Sequence, residues 1–242
     1  MNKRELSFTQ RAIARWAQHD GLKSGLKSGL KERKSGEMKV DLIDHMGSDL
    51  SIVNAARVSF AKVHEEFDEK NDTRLINYLA KHNHWSPFGH ASMQFHIKAP
   101  VFVARQLVKH QIGLTWNEVS RRYVDTEVEF YEPTEWRLAA ENKKQGSTEE
   151  TVDYNISPAH KFAKQCYENM LSLGIAPEMA RMVLPQSMMT EWYWSGTLYA
   201  FARVCNLRCK PDAQKETQNV GWGIDKPARK LFPASWRALR DE

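Results

Sequence analysis

The sequence has no run of about 18 apolar residues, so no membrane-spanning helix is expected. Its N-terminus lacks the apolar stretch of a secretory signal. Cysteine is scarce. The three in 242 residues, Cys166, Cys205 and Cys209, show neither zinc-ligand spacing nor a disulfide framework. That scarcity points to a reducing, cytoplasmic setting. A Gly-rich dinucleotide loop of the Rossmann kind is also missing. What remains is an ordinary globular balance of 41% apolar and 27% charged residues.

A net charge of +5 would suggest nucleic acid if it were spread over the fold. It is not. Residues 1–36 carry nine Lys and Arg against three acids, a surplus of six, which leaves the rest of the chain one unit negative. The basic character belongs to an N-terminal extension, residues 1–37, that contains the repeat GLKSGLKSGLK. Glycine at every fourth position weakens a helix, so this stretch reads as a flexible linker, preceded by a short helix capped by Ser7. A solvated tail and a docking arm for a partner or polyanion both stay open. The folded domain is expected over residues 38–242. A near-neutral body that recognises anions must do so with individually placed Arg and Lys.

Within that domain, VDLIDHM alternates as a half-buried strand does, and Leu50 to Val58 reads as a short helix. Asp72 is expected to cap a helix bearing Leu75, Ile76 and Leu79, and His84 to Pro87 forms a turn. Ala91 to Ile97 is strand-like. Pro100 stands where a first helical residue belongs, ahead of a helix to about His110. Val124 to Tyr131 reads as a strand and Glu141–Asp153 as a polar surface loop. Phe162, Cys166 and Met170 mark the apolar stripe of a helix opened by Ser157-Pro158 and closed by Gly174. Pro177 starts a helix to Leu184, Trp192 to Trp194 is a strand, and helices follow over Thr197–Asn206 and from Ala213 to about Trp222. Helices mixed with antiparallel strands, without βαβ alternation, predict an α+β fold.

The chemistry concentrates in PVFVARQLVKHQIGLTWNEVSRRYV, residues 100–124. Arg105 with Lys109, and Gln106 with His110, are spaced i, i+4, so four polar groups share one helical stripe that lacks any acid. Such a stripe suits a phosphate or an electron-rich ring, and equally a solvated helix face. Then Asn117 to Tyr123 packs an acid, a hydroxyl and two guanidiniums into one turn-like segment that could grip a phosphate.

This segment resembles the signature of the flavin-dependent thymidylate synthases: Arg-His-Arg, seven residues, then Ser. Here Lys109-His110-Gln111 is followed by eight residues and Ser120. Four further blocks resemble the family in the same order. They are Ala55 to Phe60, the turn His84-Trp85-Ser86-Pro87-Phe88-Gly89-His90, Glu178 to Pro185, and Asn206-Leu207-Arg208 followed by Asp212-Ala213-Gln214.

The resemblance implies an α+β fold of helices around an antiparallel sheet. It also implies reductive methylation of dUMP to dTMP, with methylene-tetrahydrofolate as carbon donor and FAD, reduced by NADPH, as hydride carrier. Arg208 would polarise the uracil in place of a cysteine nucleophile. The dUMP would be held by Gln106, Lys109, Glu118, Val119, Ser120, Arg121, Arg122, Arg181 and Arg208. Position 121 is usually Gly in the family, so its backbone N–H would contribute most. The FAD residues would be Ser59, His84, Ser86, Lys109, His110, Gln111 and Arg203. Sites shared among the subunits of a homotetramer are implied too, without metal or membrane. Two other readings stay open: a nucleic-acid binder using the basic tail with Trp85, Trp116, Trp192 and Trp194 as stacking platforms, and a flavoprotein of the same fold acting on another pyrimidine.

Overall fold

The computed structural model describes residues 36–123, 127–140 and 146–240. The N-terminal helix and linker expected from the sequence lie outside them. Among the described residues the elements are, in chain order, β1 (Lys39–Met46), α1 (Asp49–Arg57), α2 (Glu69–Lys81), β2 (Ser92–Pro100), α3 (Val101–Leu107), β3 (Leu114–Glu118), β4 (Trp136–Ala139), β5 (Ser147–Val152), α4 (Ser157–Ser172), α5 (Pro177–Ala180), β6 (Met189–Thr197), α6 (Leu198–Arg208), α7 (Lys215–Leu231) and α8 (Pro233–Leu239). The fold is α+β, as predicted.

Four strands form one antiparallel sheet in the order β1-β2-β6-β3. Alternation along β2 and β6 sends Met93, Phe95, Ile97, Trp192 and Trp194 to one face, where they are buried. The helices cover that face. Phe201 meets both Phe95 and Trp194 edge-on, and Trp236, Phe232 and Ile224 complete the core. Trp192 and Trp194 are at most 1% exposed, which rules them out as stacking platforms for a nucleic acid. The other face is polar: Gln94 donates to Ser195 at 2.9 Å, and His96 lies 3.0 Å from Glu191. A bulge between Leu42 and Asp44 breaks the alternation of β1 and leaves Ile43 and Met46 exposed.

Some local expectations are corrected. The cap of α2 is Asp68, whose carboxylate accepts from the backbone of Lys70 and Asn71 at 3.1 and 3.0 Å. Asp72 is buried instead and accepts from Arg57, His64 and the Asp68 backbone. The Phe162 stripe of α4 is not its packing face, since Phe162 is 70% exposed. The buried residues are His160 and Tyr167, and Cys166 is only half-buried. His160 is satisfied on both nitrogens, by Glu132 and Ser187, and stacks on Phe130 at 4.5 Å, so its polarity does not keep it at the surface. Residues 147–152 are not loop: β5 pairs with β4. The described part of 124–131 holds only one bridge, Phe130 to Met188.

The C-terminal helices are tied together by buried Asp225, which accepts from Arg229, Trp236 and Arg240 at 2.7 to 2.9 Å. Arg240 also reaches Asn206 on α6, whose side-chain amide in turn donates to the Leu239 carbonyl at 2.8 Å.

Candidate active site

Helix α3 stands between two clefts. Pro100 ends β2 and gives α3 its N-terminal boundary. The first free backbone N–H groups of the helix, from Val101 and Phe102, donate to the carbonyls of Met188 and Gln186. Val103, Ala104 and Leu107 are buried, which leaves Arg105 and Gln106 on the open side. The helix ends at Leu107, so Lys109 and His110 lie past its C-cap, not on a continued stripe. After the Lys109-His110-Gln111 triplet the chain makes a turn closed by the Leu114 N–H on the Gln111 carbonyl, with Gly113 at φ +76°. That turn sits tightly on β6: a Cβ on Gly196 would come within 2.5 Å of the Gly113 carbonyl oxygen.

The first cleft, about 770 Å³, is lined by Arg105, Glu118, Val119, Arg121 and Arg181, among others. Glu118 accepts from Thr190 at 2.8 Å and from the Trp116 indole at 3.2 Å. The Val119 N–H is engaged by the Glu191 carbonyl. Arg121 donates to the Glu127 carbonyl at 3.1 Å, so its side chain and not only its backbone reaches the cleft. Arg181 donates to the Glu178 carbonyl at 3.3 Å. Ser120 and Arg122 are not among the lining residues. They hold each other, Arg122 Nε donating to Ser120 Oγ at 3.0 Å. Among the described residues no histidine or carboxylate bonds to Ser120, so nothing activates it as a nucleophile.

The second cleft, about 640 Å³, contains Gln106 and Arg208. Gln106 donates to Gln214 and accepts from Thr217 at 3.3 Å, which fixes its amide against α7. Arg208 Nε donates to His110 Nε2 at 3.0 Å. Burial, with the charges of Arg208 and Arg203, lowers the His110 pKa to about 4. The imidazole is therefore neutral near pH 7, with Nε2 as acceptor and its proton on Nδ1.

The residues predicted for dUMP thus divide. Glu118, Val119, Arg121 and Arg181 line one cleft, Gln106 and Arg208 the other, and exposed Lys109 lines neither. The residues predicted for FAD lie elsewhere. Ser59 is exposed in a 3₁₀ turn between Val58 and Phe60, themselves 69% and 75% exposed. His84 and Ser86 flank Trp85, whose ring lies 6.4 Å from that of Tyr199 on α6. Tyr199, Arg203 and Leu207 recur every fourth residue along α6, and Arg203 acts on His110. One helix face therefore leads from Trp85 to His110. Gln111 is exposed just beyond.

Residues 41–234 match the family described as thymidylate synthase complementing protein. The chain is 38% identical over 206 residues to the flavin-dependent thymidylate synthase of Thermus thermophilus, covering 84% of this chain and 75% of that one. To the enzyme of the same name from Thermotoga neapolitana it is 39% identical over 200 residues, covering 83% and 89%. The chain belongs to the flavin-dependent thymidylate synthases. Its fold is similar to that of the UMP/dUMP methylase PolB from Streptomyces cacaoi, solved with 5-Br dUMP, at a TM-score of 0.75 and 31% identity over 84% of this chain and 94% of that one.

Cys205 is fully buried and burial pushes its thiol well up, while its hydrogen bond to Cys209 holds the Cys209 thiol below the ordinary value. Sequence reasoning missed Arg137 and Glu216. Arg137 lines the second cleft and donates to Glu216 at 2.8 Å and to Ser147 at 2.8 Å. Glu216 is 5% exposed. Burial pushes its carboxyl up, but the Arg137 hydrogen bond and charge outweigh this and hold it below the ordinary range. Tyr131 also donates to Glu216, and burial with that neighbouring charge raises its pKa to about 12. A charged pair spaced 79 residues apart leaves no local signal in a sequence.

Proposed function

We propose that the chain methylates dUMP to dTMP, taking its carbon from methylene-tetrahydrofolate, using FAD reduced by NADPH, and releasing tetrahydrofolate. The observation that carries the reading is Arg208, held by neutral His110 in a cleft, its terminal guanidinium nitrogens making no hydrogen bond among the described residues and so available to a ligand. A fixed cation beside a pyrimidine carbonyl stabilises negative charge on that oxygen, favouring the ionised, enolate-like ring whose C5 is nucleophilic, and one such donor is worth about 3–4 kcal/mol. No cysteine adduct is then needed.

In this reading Arg208 meets the uracil, and Gln106 reaches the phosphate. Ser120, Arg121, Arg122 and Arg181, with Lys109, meet the phosphate, and Glu118 and the Val119 side chain lie near the sugar or base. Gln106 and Arg208 lie in one cleft of the chain and Glu118, Val119, Arg121 and Arg181 in the other, which supports a site completed by a second copy, in a homotetramer. FAD would be held by Ser59, His84, Ser86, Lys109, His110, Gln111 and Arg203, and would supply the hydride. The donors fit that group: Arg203 makes no hydrogen bond among the described residues, and Trp85, beside half-buried Tyr199, offers exposed ring surface for a flat aromatic system. The chain's own contribution is to bind, to orient and to keep His110 uncharged beside the reacting ring. A cytoplasmic setting goes with this chemistry. No described helix is long and apolar enough to cross a membrane.

Purified protein should be yellow and should form dTMP only when FAD is present, with UMP run beside dUMP to identify the accepted nucleotide. A protein that stays colourless with excess FAD and dUMP sinks the reading.

A further inference from the structure

The two clefts differ in charge. Four cations of the first, Lys98, Arg105, Arg121 and Arg181, face five glutamates. Among the described residues, the second sets Arg137, Arg208, Lys210 and Lys215 against Asp212 alone. Its cations are also differently employed. Arg137 is anchored through two of its nitrogens, by buried Glu216 and by Ser147, which leaves Nη1 without a hydrogen bond among the described residues. Lys210 and Lys215 are exposed and form no ion pair among the described residues. Buried Glu216 and the β4–β5 hairpin therefore hold one guanidinium fork beside two uncommitted ammonium groups, next to Arg208. A cavity of about 640 Å³ has room for more than a pyrimidine ring.

In the proposed reaction, on which this inference rests, the nucleotide phosphate is assigned to the arginines of the first cleft. Of the other anionic substrates, NADPH and the folate, the folate is the one whose charge lies on carboxylates. It carries two carboxylates on its glutamyl end, and more when polyglutamylated. Carboxylates match the planar arginine fork, and a flexible chain of them suits scattered lysines. We infer that Arg137, Lys210 and Lys215 form the subsite for the glutamyl tail of the folate co-substrate.

The test compares the FAD-loaded full chain with its Lys210→Ala/Lys215→Ala variant and with Arg137→Gln. Both lysines are exposed, so the double variant keeps its fold, which a thermal melt checks. KM is measured for methylene-tetrahydrofolate as mono- and triglutamate, and for dUMP. In the double variant KM for the triglutamate should rise about tenfold and for the monoglutamate about threefold, with dUMP unchanged within about twofold, as lost charge-assisted contacts predict. Arg137→Gln should raise KM for both folates. A rise confined to dUMP would assign the cleft to the nucleotide phosphate and overturn the inference. Unchanged folate constants, or equal rises for the two folates in the double variant, overturn it as well. Should the wild type form no dTMP, the proposed reaction fails separately, and equilibrium binding of folate triglutamate to the same proteins decides the subsite by the same criteria.

Discussion

Arg208 Nε and His110 Nε2 lie 3.0 Å apart, an arginine donating to a histidine that cannot comfortably carry charge. The arrangement makes His110 a fixed neutral group. Its pKa, near 4 against an ordinary 6.5, should be visible by NMR titration of its ring. Arg208→Ala should raise it part of the way, because burial, the larger cause, remains. The folded value lies below the unfolded one, so on acidification the unfolded chain binds the proton first. Stability from this group is complete above pH 6.5 and is lost as pH falls from there through about 4. Titration of wild-type His110 near 6.5 would contradict the assignment.

Arg208→Ala should lower the rate of dTMP formation by about 10²–10³-fold, the usual cost of removing one preorganised donor. Bound FAD, read from its visible absorbance, should persist, since Arg208 is not among the residues assigned to the flavin. Near-normal turnover in this variant would remove Arg208 from the chemistry.

The division of the nucleotide residues between two clefts can be tested by complementation. Arg208→Ala and Arg181→Ala should each be inactive alone. Co-expressed in equal amounts, they should recover up to about a quarter of wild-type activity if each site draws on two copies at random. No recovery above either variant would mean that a single copy builds the whole site.

Asp225 is 2% exposed and accepts from three side chains, so Asp225→Ala leaves buried donors, including Arg240, without their anion. Burial pushes this carboxyl up, but those hydrogen bonds prevail and hold it below the ordinary range. Breaking such a cluster should cost about 3–5 kcal/mol in urea unfolding. A loss below about 1 kcal/mol would show that the C-terminal helices are held by apolar packing alone.

β1, β2 and the middle of β6 were legible because β2 and β6 bury one face, and burial imposes a period of two that the sequence must obey; β3, whose Asn117 and Glu118 belong to a segment that reads as turn-like, was not. The start of α3 was legible from Pro100. The β4–β5 hairpin was not. Ser147 to Val152 is almost wholly polar, and its pairing rests on backbone bonds and on Arg137 rather than on a buried face. Helix α4 misled for the opposite reason, since buried His160 is satisfied by partners 28 and 27 residues away. Within the site, the separate segments could be recognised one by one. Their distribution between two clefts could not, because sequence spacing does not reveal what lies on either side of a helix.

Arg105 and Gln106 are joined by a single peptide bond, yet they look into different chambers. The wall between those chambers is only seven residues long and is pinned at its start to the backbone of 186–188. It cannot roll to suit one side without disturbing the other. A packing defect behind it, at Val103 or Leu107, would be felt in both rooms at once, so the shapes of the two are mechanically yoked by one short stretch of backbone.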